Sequence, residues 1–329
     1  IISSFRLSFL PPLMIYLAAG VSGLTNIVGL FFVKEYLDLS AAFLAGLGFW
    51  AGLPWVLKMP LGHIVDLIWK FKSILVFFGA FIMAISSLIM YFLIAHKSEM
   101  IAILNAETWF IISSLLAPIG FVLQDVVADA LTVEAIPKTD EKGNELDFKT
   151  LKSLNVVMQL LGRVSIIGGG LIVSIINLIL FQDSSKMNEV DKINVYGDVY
   201  LYSLIVPVIS VLGVFTYYIN LKFKLNGLIK NGISFKKALN LTFPEPKKTK
   251  TNFSILIGSV IFVIFTISIG VINFTYSQEI VFIGSFLIIS YLLISLSNEL
   301  DTNAKKMLLG TAIIIFIFRA IPSTGPGIR

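Results

Sequence analysis

Long apolar runs constrain this chain more than any other feature, because several of them extend over about 20 residues without a charge. A helix of roughly that length, rising about 1.5 Å per residue, crosses the hydrocarbon core of a bilayer. The runs lack the alternating pattern of barrel strands, so they are expected to be helices. Nine spans are predicted, at residues 8–33, 41–68, 73–95, 108–136, 151–180, 199–220, 253–274, 279–297 and 306–321.

The composition agrees with an all-α polytopic membrane protein. Hydrophobic residues make up 57% of the chain and charged residues 14%, against roughly 45–50% and 25% in soluble domains. The chain has no cysteine, which excludes disulfides, thiolate metal sites and a cysteine nucleophile. Its two histidines, His63 and His96, are far apart and match no metal-binding spacing. No cofactor, no metal and no nucleic-acid partner is therefore expected.

The distribution of lysine and arginine predicts a cytoplasmic N-terminus. With that orientation the outer segments carry only Lys34, Lys97, Lys186, Lys192 and Arg329. The inner segments carry Arg6, Lys70, Lys72, Lys138, Lys142, Lys149, Lys152, Lys222, Lys224, Lys230, Lys236, Lys237, Lys247, Lys248, Lys250, Lys305 and Lys306.

Residues 221–252 are predicted to form a basic cytoplasmic connector after a six-helix bundle at residues 1–220. The connector holds eight lysines and a single acid, Glu245, and its PEPKK sequence interrupts any helix. Two interpretations remain. The lysines bind anionic lipid headgroups, or they only follow the charge bias of inner loops, with an interfacial helix around LKFKLNGLIK. The second interpretation is favoured.

The segment FVLQDVVADALTVEAIP, residues 121–137, places carboxylates inside an apolar span. Asp125 and Asp129 are four residues apart, so they share one helix face about 6 Å apart along the axis. Glu134 is turned to roughly the opposite side and is expected at the inner headgroup level. An ionisable group at mid-bilayer costs about 2.5–3.5 kcal/mol, so the two aspartates are expected to face protein or water rather than lipid.

Two cations are predicted at matching depth. Lys58 lies between Pro54 and Pro60 in the second span, and Arg163 lies in the fifth. The four charges either form a structural network that pins helices together or line a polar path for a substrate or a proton; the path is the favoured hypothesis.

The inner end of the second span offers a weaker signal. His63 and Asp66 stand three residues apart beside the turn that carries Lys70 and Lys72. This GHxxD sequence is either a proton switch or, as favoured here, a cytoplasmic turn in which Asp66 caps or pairs and controls closure. Glu134 is assigned to the same gating region.

Several motifs, in order along the chain, resemble one family. These are a glycine-rich first helix, GLPWVLKMPLGHIVD in the second span, QDVVADALTVE in the fourth and SLNVVMQLLGRVSIIGGGLI in the fifth, followed by FRAIPSTGPG near residue 329. Together they resemble the folate–biopterin transporter family of the major facilitator superfamily. FRAIPSTGPG is similar to the segment that opens that family's second half.

The resemblance implies a major facilitator-type bundle and secondary active transport, here expected to be proton-coupled symport. It implies a small organic solute related to folate or pterin, whose carboxylates Arg163 and Arg319 would bind. Without substrate, Asp125 or Asp129 is an alternative partner for Arg163. Because the last motif falls in the ninth span, residues 253–297 are interpreted as an inserted hairpin and residues 298–329 as the start of a truncated second bundle.

Other functions remain open at the level of sequence. The same fold could carry an unrelated solute, such as a sugar conjugate or a chlorophyll-related compound. A non-transport intramembrane enzyme or assembly factor would use Asp125 and Asp129 directly, although no nucleophile, zinc or nucleotide motif accompanies them. An enzyme is not favoured. The expected location is a bacterial inner membrane.

Overall fold

The structure, a computed structural model of the 329-residue chain, is helical throughout the part that it describes. The described residues are 6–26, 28–29, 40–137, 145–183, 186–243, 251–272, 275–297 and 300–320. The first six helices are α1 (Leu10–Val21), α2 (Ala41–Gly52), α3 (Lys58–Leu67), α4 (Ser73–Ala95), α5 (Lys97–Ile101) and α6 (Ala106–Ala135). The others are α7 (Phe148–Phe181), α8 (Glu189–Tyr202), α9 (Ile205–Lys230), α10 (Phe235–Thr242), α11 (Phe253–Ile272), α12 (Ser277–Ser297) and α13 (Thr302–Ala320).

Seven helices among the described residues are long and apolar enough to cross a membrane, as a multi-pass membrane protein requires. They are Leu7–Asn26, Ser73–Ala95, Ala106–Ala135, Phe148–Phe181, Glu189–Lys230, Phe253–Gly270 and Ser277–Ser295. The predicted ninth span corresponds to α13, which is 19 residues long.

The second predicted span is not one continuous helix. A 3-10 turn, Leu53–Leu57, separates α2 from α3. Pro54 lies at the second position of this turn and Pro60 at the third position of α3. Proline lacks the N–H that an α-helix interior needs but is tolerated in a first turn. The two prolines therefore restart the helix at Lys58.

The predicted basic connector begins with the end of a long helix. Helix α9 continues to Lys230, so LKFKLNGLIK is helical as predicted but is the last part of α9 rather than a separate helix. A separate amphipathic helix follows at α10. Residues 244–250, with PEPKK, lie outside the described residues.

The chain divides into two compact units. One comprises residues 1–40 and 50–250, and the other comprises residues 41–49 and 251–329. In the first unit, α1 packs against α6, α7 and α9, while α4 packs against α6, α8 and α9. Its core includes the buried side chains Ile15, Val65, Val76, Val126 and Val214. In the second unit, α11 packs against α12.

Glycine pairs bring helices of the first unit into close contact. A Cβ added at Gly169 of α7 would lie 2.7 Å from the Cα of Gly20 and 2.7 Å from the carbonyl oxygen of Leu17, both on α1. A Cβ at Gly120 would meet the backbone of Gly79 at 2.6 Å. Small residues permit such close approach between membrane helices. The first of these contacts fixes α7, the helix that carries Arg163, against α1.

We expect Gly169→Ala to destabilise the first unit, because its methyl group would overlap backbone atoms that cannot rotate away. Overpacking of this kind costs about 1–3 kcal/mol, or a fall of several degrees in Tm. The matched control is Gly168→Ala, since a Cβ there meets nothing within 4 Å. Thermal unfolding of the detergent-solubilised protein measures both. Equal Tm values for the two variants would contradict the proposed helix contact.

Candidate functional site

Four side chains from three helices meet in the first unit and are called the Lys58 cluster: Tyr16, Lys58, Asp125 and Asp129. The Lys58 Nζ lies 2.5 Å from Oδ2 of Asp125 and 2.8 Å from Oδ2 of Asp129. The Tyr16 hydroxyl donates a hydrogen bond of 2.6 Å to Oδ1 of Asp129. The structure thus brings Lys58 together with both predicted aspartates.

Local backbone structure explains this convergence. Asp125 and Asp129 lie one turn apart on α6, so both carboxylates project from one face. Lys58 is the first residue of α3, directly after the 3-10 turn. One ammonium group with three donors can therefore bind two carboxylates at once.

The two aspartates differ in exposure. The side chain of Asp125 is 17% exposed, whereas that of Asp129 is 48% exposed. Lys58 is intermediate at 38%. Asp129 is therefore the carboxylate that is more accessible to water, while Asp125 contacts the lysine from the more buried side.

Arg163 stands close to this cluster without joining it. Gly162, its neighbour in sequence, packs on the Tyr16 ring, since a Cβ there would lie 3.1 Å from two ring carbons. Arg163 also acts electrostatically on the Tyr16 hydroxyl. Its side chain is exposed and forms no hydrogen bond or ion pair with any described residue. In the structure Asp125 and Asp129 are paired with Lys58, and not with Arg163 as in the expected alternative.

A second group of charged and aromatic side chains, the Lys72 cluster, lies at the predicted cytoplasmic end. Lys72 is 3% exposed, and its Nζ lies 2.8 Å from Oε2 of Glu134. The Tyr217 hydroxyl donates to Oε1 of Glu134 at 2.8 Å. The Lys72 Nζ also lies 4.2 Å from the centre of the Trp69 ring. Glu134 therefore ties the end of α6 to α9 and to the turn before α4.

The remaining predicted residues lie outside these clusters. Asp66 is exposed on α3, one turn from His63. Arg319 belongs to the last turn of α13, but its side chain is outside the described residues. The part of the FRAIPSTGPG motif that follows Ala320 also lies outside them. His96 lies 3.6 Å from Glu99 on an exposed turn. Within the described ranges, no three His, Cys, Asp or Glu side chains are grouped as a metal site would require.

Three side chains of these clusters, Tyr16, Tyr217 and Lys72, were not predicted from the sequence as members of a site. Tyr16 and Tyr217 each donate to a carboxylate, and a tyrosine inside an apolar helix signals such a need because its buried hydroxyl requires a partner. Lys72 was assigned only to the inner turn, although it is buried. The buried Gln124 was also missed, and it accepts a hydrogen bond of 2.8 Å from Ser210 on α9.

We expect Lys58→Met to destabilise the first unit, because it leaves Asp125 and Asp129 close together without their cation. Breaking a fully buried pair costs about 3–5 kcal/mol, and the partial exposure here reduces the expected loss to about 1–3 kcal/mol. Adding Asp125→Asn should recover part of that loss.

The matched control is Lys70→Met, which removes an exposed lysine from the neighbouring turn. Urea or thermal unfolding in detergent compares the four proteins. If Lys58→Met and Lys70→Met unfold alike, the shared ammonium does not hold the cluster together.

Known proteins give no guide to the role of this site. No family model, no curated protein and no solved structure matches this chain. The Lys58 cluster and Arg163 are therefore the features of the chain that bear on its function.

Proposed function

We propose that this protein is a secondary active transporter that moves a small organic anion, of the folate or pterin class, together with protons. The observation that carries the proposal is the Lys58 cluster with Arg163 beside it, placed within helices long and apolar enough to cross a membrane. Ionisable groups in such segments are costly and usually mark a solute or ion path.

The partial exposure of the cluster favours a path over a purely structural network. A structural ion pair gains most when both partners are closed off and fully paired. Asp129 is instead 48% exposed, and Arg163 is exposed on a helix whose neighbouring residues Val164 and Ile167 are apolar. A guanidinium on such a face requires a polar counterpart, and an anionic solute supplies one.

The arrangement suggests how protons and solute are coupled. With both aspartates ionised, the Lys58 cluster carries one net negative charge next to the positive charge of Arg163. Protonation of Asp129 makes the cluster neutral, so Arg163 attracts an anion more strongly. Solute binding then favours protonation by the same factor, because linkage is reciprocal.

The Lys72 cluster fits the role of a gate at the inner end. It ties α6, α9 and the turn before α4 through one buried cation. Alternating access requires such contacts to form in one state and to separate in another. We therefore assign Glu134 to gating, with Lys72 and Tyr217 as its partners.

The proposed architecture is that of the major facilitator superfamily. The first unit, apart from its basic cytoplasmic end, is the N-terminal bundle, and the hairpin α11–α12 is an insertion that follows it in sequence. We place the N-terminus in the cytoplasm and the protein in a bacterial inner membrane, because lysine and arginine are concentrated in the inner segments.

We expect Asp129→Asn to abolish uptake driven by a pH gradient and to spare exchange of solute across the membrane, because an amide cannot take up the coupling proton. Proteoliposomes measure both rates: uptake of labelled folate or pterin from outside under a pH gradient, and its exchange against unlabelled solute loaded inside. Asp198→Asn is the matched control, because Asp198 is an exposed carboxylate on α8, outside the Lys58 cluster. Wild-type uptake by Asp129→Asn would make this aspartate structural and the mechanism wrong.

We expect Arg163→Lys to weaken solute binding about tenfold or more, because an ammonium cannot replace the two parallel hydrogen bonds of a guanidinium. The Kd for folate or pterin, measured on the complete protein in detergent, tests this. Arg6→Lys, at the exposed N-terminal end, is the control. Equal affinities for wild type and Arg163→Lys would remove Arg163 from the binding site.

A further inference from the structure

The end of α9 and the short helix α10 form a basic surface with no acidic residue of its own. Between residues 221 and 243 the chain contains five lysines and neither aspartate nor glutamate. All five are exposed, and four of them are assigned to this surface: Lys222, Lys230, Lys236 and Lys237. Lys224 is left out because it acts electrostatically on Glu134 of the Lys72 cluster.

A tight turn fixes α10 against α9. Gly232 adopts φ +82°, a left-handed conformation that favours glycine. The backbone N–H of Ile233 donates to Leu228 O at 3.1 Å, and that of Gly232 to Ile229 O at 3.0 Å, as in a Schellman helix end. The chain thereby reverses, and Ala238 and Thr242 are buried at 0% and 2% exposure.

Three large apolar side chains in this segment are exposed rather than packed against the protein. Two lie on α10, and the third follows it directly. Phe235 is 62% exposed, Leu239 38% and Phe243 49%. They recur every four residues and so share one side of the helix. Lys236 and Asn240 lie about 100° further around, on the neighbouring side. A short helix with exposed aromatic rings on one side and lysines on another is suited to a membrane–water interface.

The length of α9 places this surface at the right depth. Its 26 residues extend about 39 Å, whereas the hydrocarbon core is about 30 Å thick. The last turns of α9, and α10 with them, therefore reach the headgroup level. The excess of lysine assigns this end to the cytoplasmic leaflet, which carries anionic lipids.

We propose that α10 and the end of α9 form a binding surface for anionic phospholipid headgroups. Phe235, Leu239 and Phe243 insert below the headgroups, and the lysines extend to the phosphates along their alkyl chains. This inference does not depend on which solute the protein transports. It requires only that the first unit is embedded in a bilayer.

The first test measures the depth of α10. Because the chain has no cysteine, single Leu239→Cys and Asn240→Cys variants can each carry one nitroxide label. In vesicles of phosphatidylglycerol and phosphatidylcholine, the label at residue 239 should collide more with oxygen, and the label at residue 240 more with a water-soluble nickel chelate. Equal and high nickel accessibility at both positions would overturn the proposal, because α10 would then lie in water.

The second test measures lipid selection. The complete protein is extracted from vesicles with equal amounts of the two lipids, and the retained lipid is measured by mass spectrometry. Each lysine near the membrane surface favours anionic over zwitterionic lipid by roughly fivefold at most. The Lys236→Gln/Lys237→Gln variant should therefore lower the ratio of phosphatidylglycerol to phosphatidylcholine by about twofold or more.

The matched control is Lys97→Gln/Lys186→Gln, which removes two exposed lysines from segments assigned to the outer side. Its lipid ratio should stay at the wild-type value. An equal fall in both double variants would indicate only an effect of net charge. An unchanged ratio of phosphatidylglycerol to phosphatidylcholine in Lys236→Gln/Lys237→Gln would indicate that these lysines only set the membrane topology or bind a soluble acidic partner. Either result would overturn the proposal.

Discussion

The Lys58 ammonium shared between Asp125 and Asp129 is the interaction on which the rest of the first unit depends. A single cation compensates two carboxylates that would otherwise repel each other inside an apolar helix bundle. To place Lys58 there, the chain breaks its second apolar run with Pro54 and restarts a helix at the lysine itself. Tyr16 completes the cluster from α1, and its ring also supports Gly162 of α7.

Much of this arrangement could be predicted from sequence because it follows from local periodicity. The length of the apolar runs predicts helices that can cross a membrane, and such helices are present. The four-residue spacing of Asp125 and Asp129 predicts a shared face, and the cost of a charge in lipid predicts a nearby cation. Lys58 and Arg163 could both be named as candidates because they lie at a similar depth in their own spans.

The other features of the site depend on three-dimensional contacts that cannot be inferred from the spacing of residues along the sequence. Lys58 and Arg163 were equally suitable by depth, and only the packing of α3 against α6 decides that Lys58 reaches the aspartates. The continuation of α9 to Lys230 was missed because its lysines suggested an interface, although lysine is a good helix former. In the sequence Lys72 resembles any lysine of an inner turn. Its burial depends on Glu134, Tyr217 and Trp69, which surround it only in the folded chain.

The two clusters differ in a way that separates their roles. Lys72 is 3% exposed and is paired with one carboxylate, so loss of its charge would leave the half-buried Glu134 without its cation. Such a pair holds helices together, because removing one partner leaves the other charge uncompensated. Asp129 is 48% exposed and shares its cation with Asp125, so Lys58 keeps a partner when Asp129 separates from it. In the transport mechanism that we propose, proton exchange is assigned to the Lys58 cluster, and the Lys72 cluster separates as a whole when the helices move.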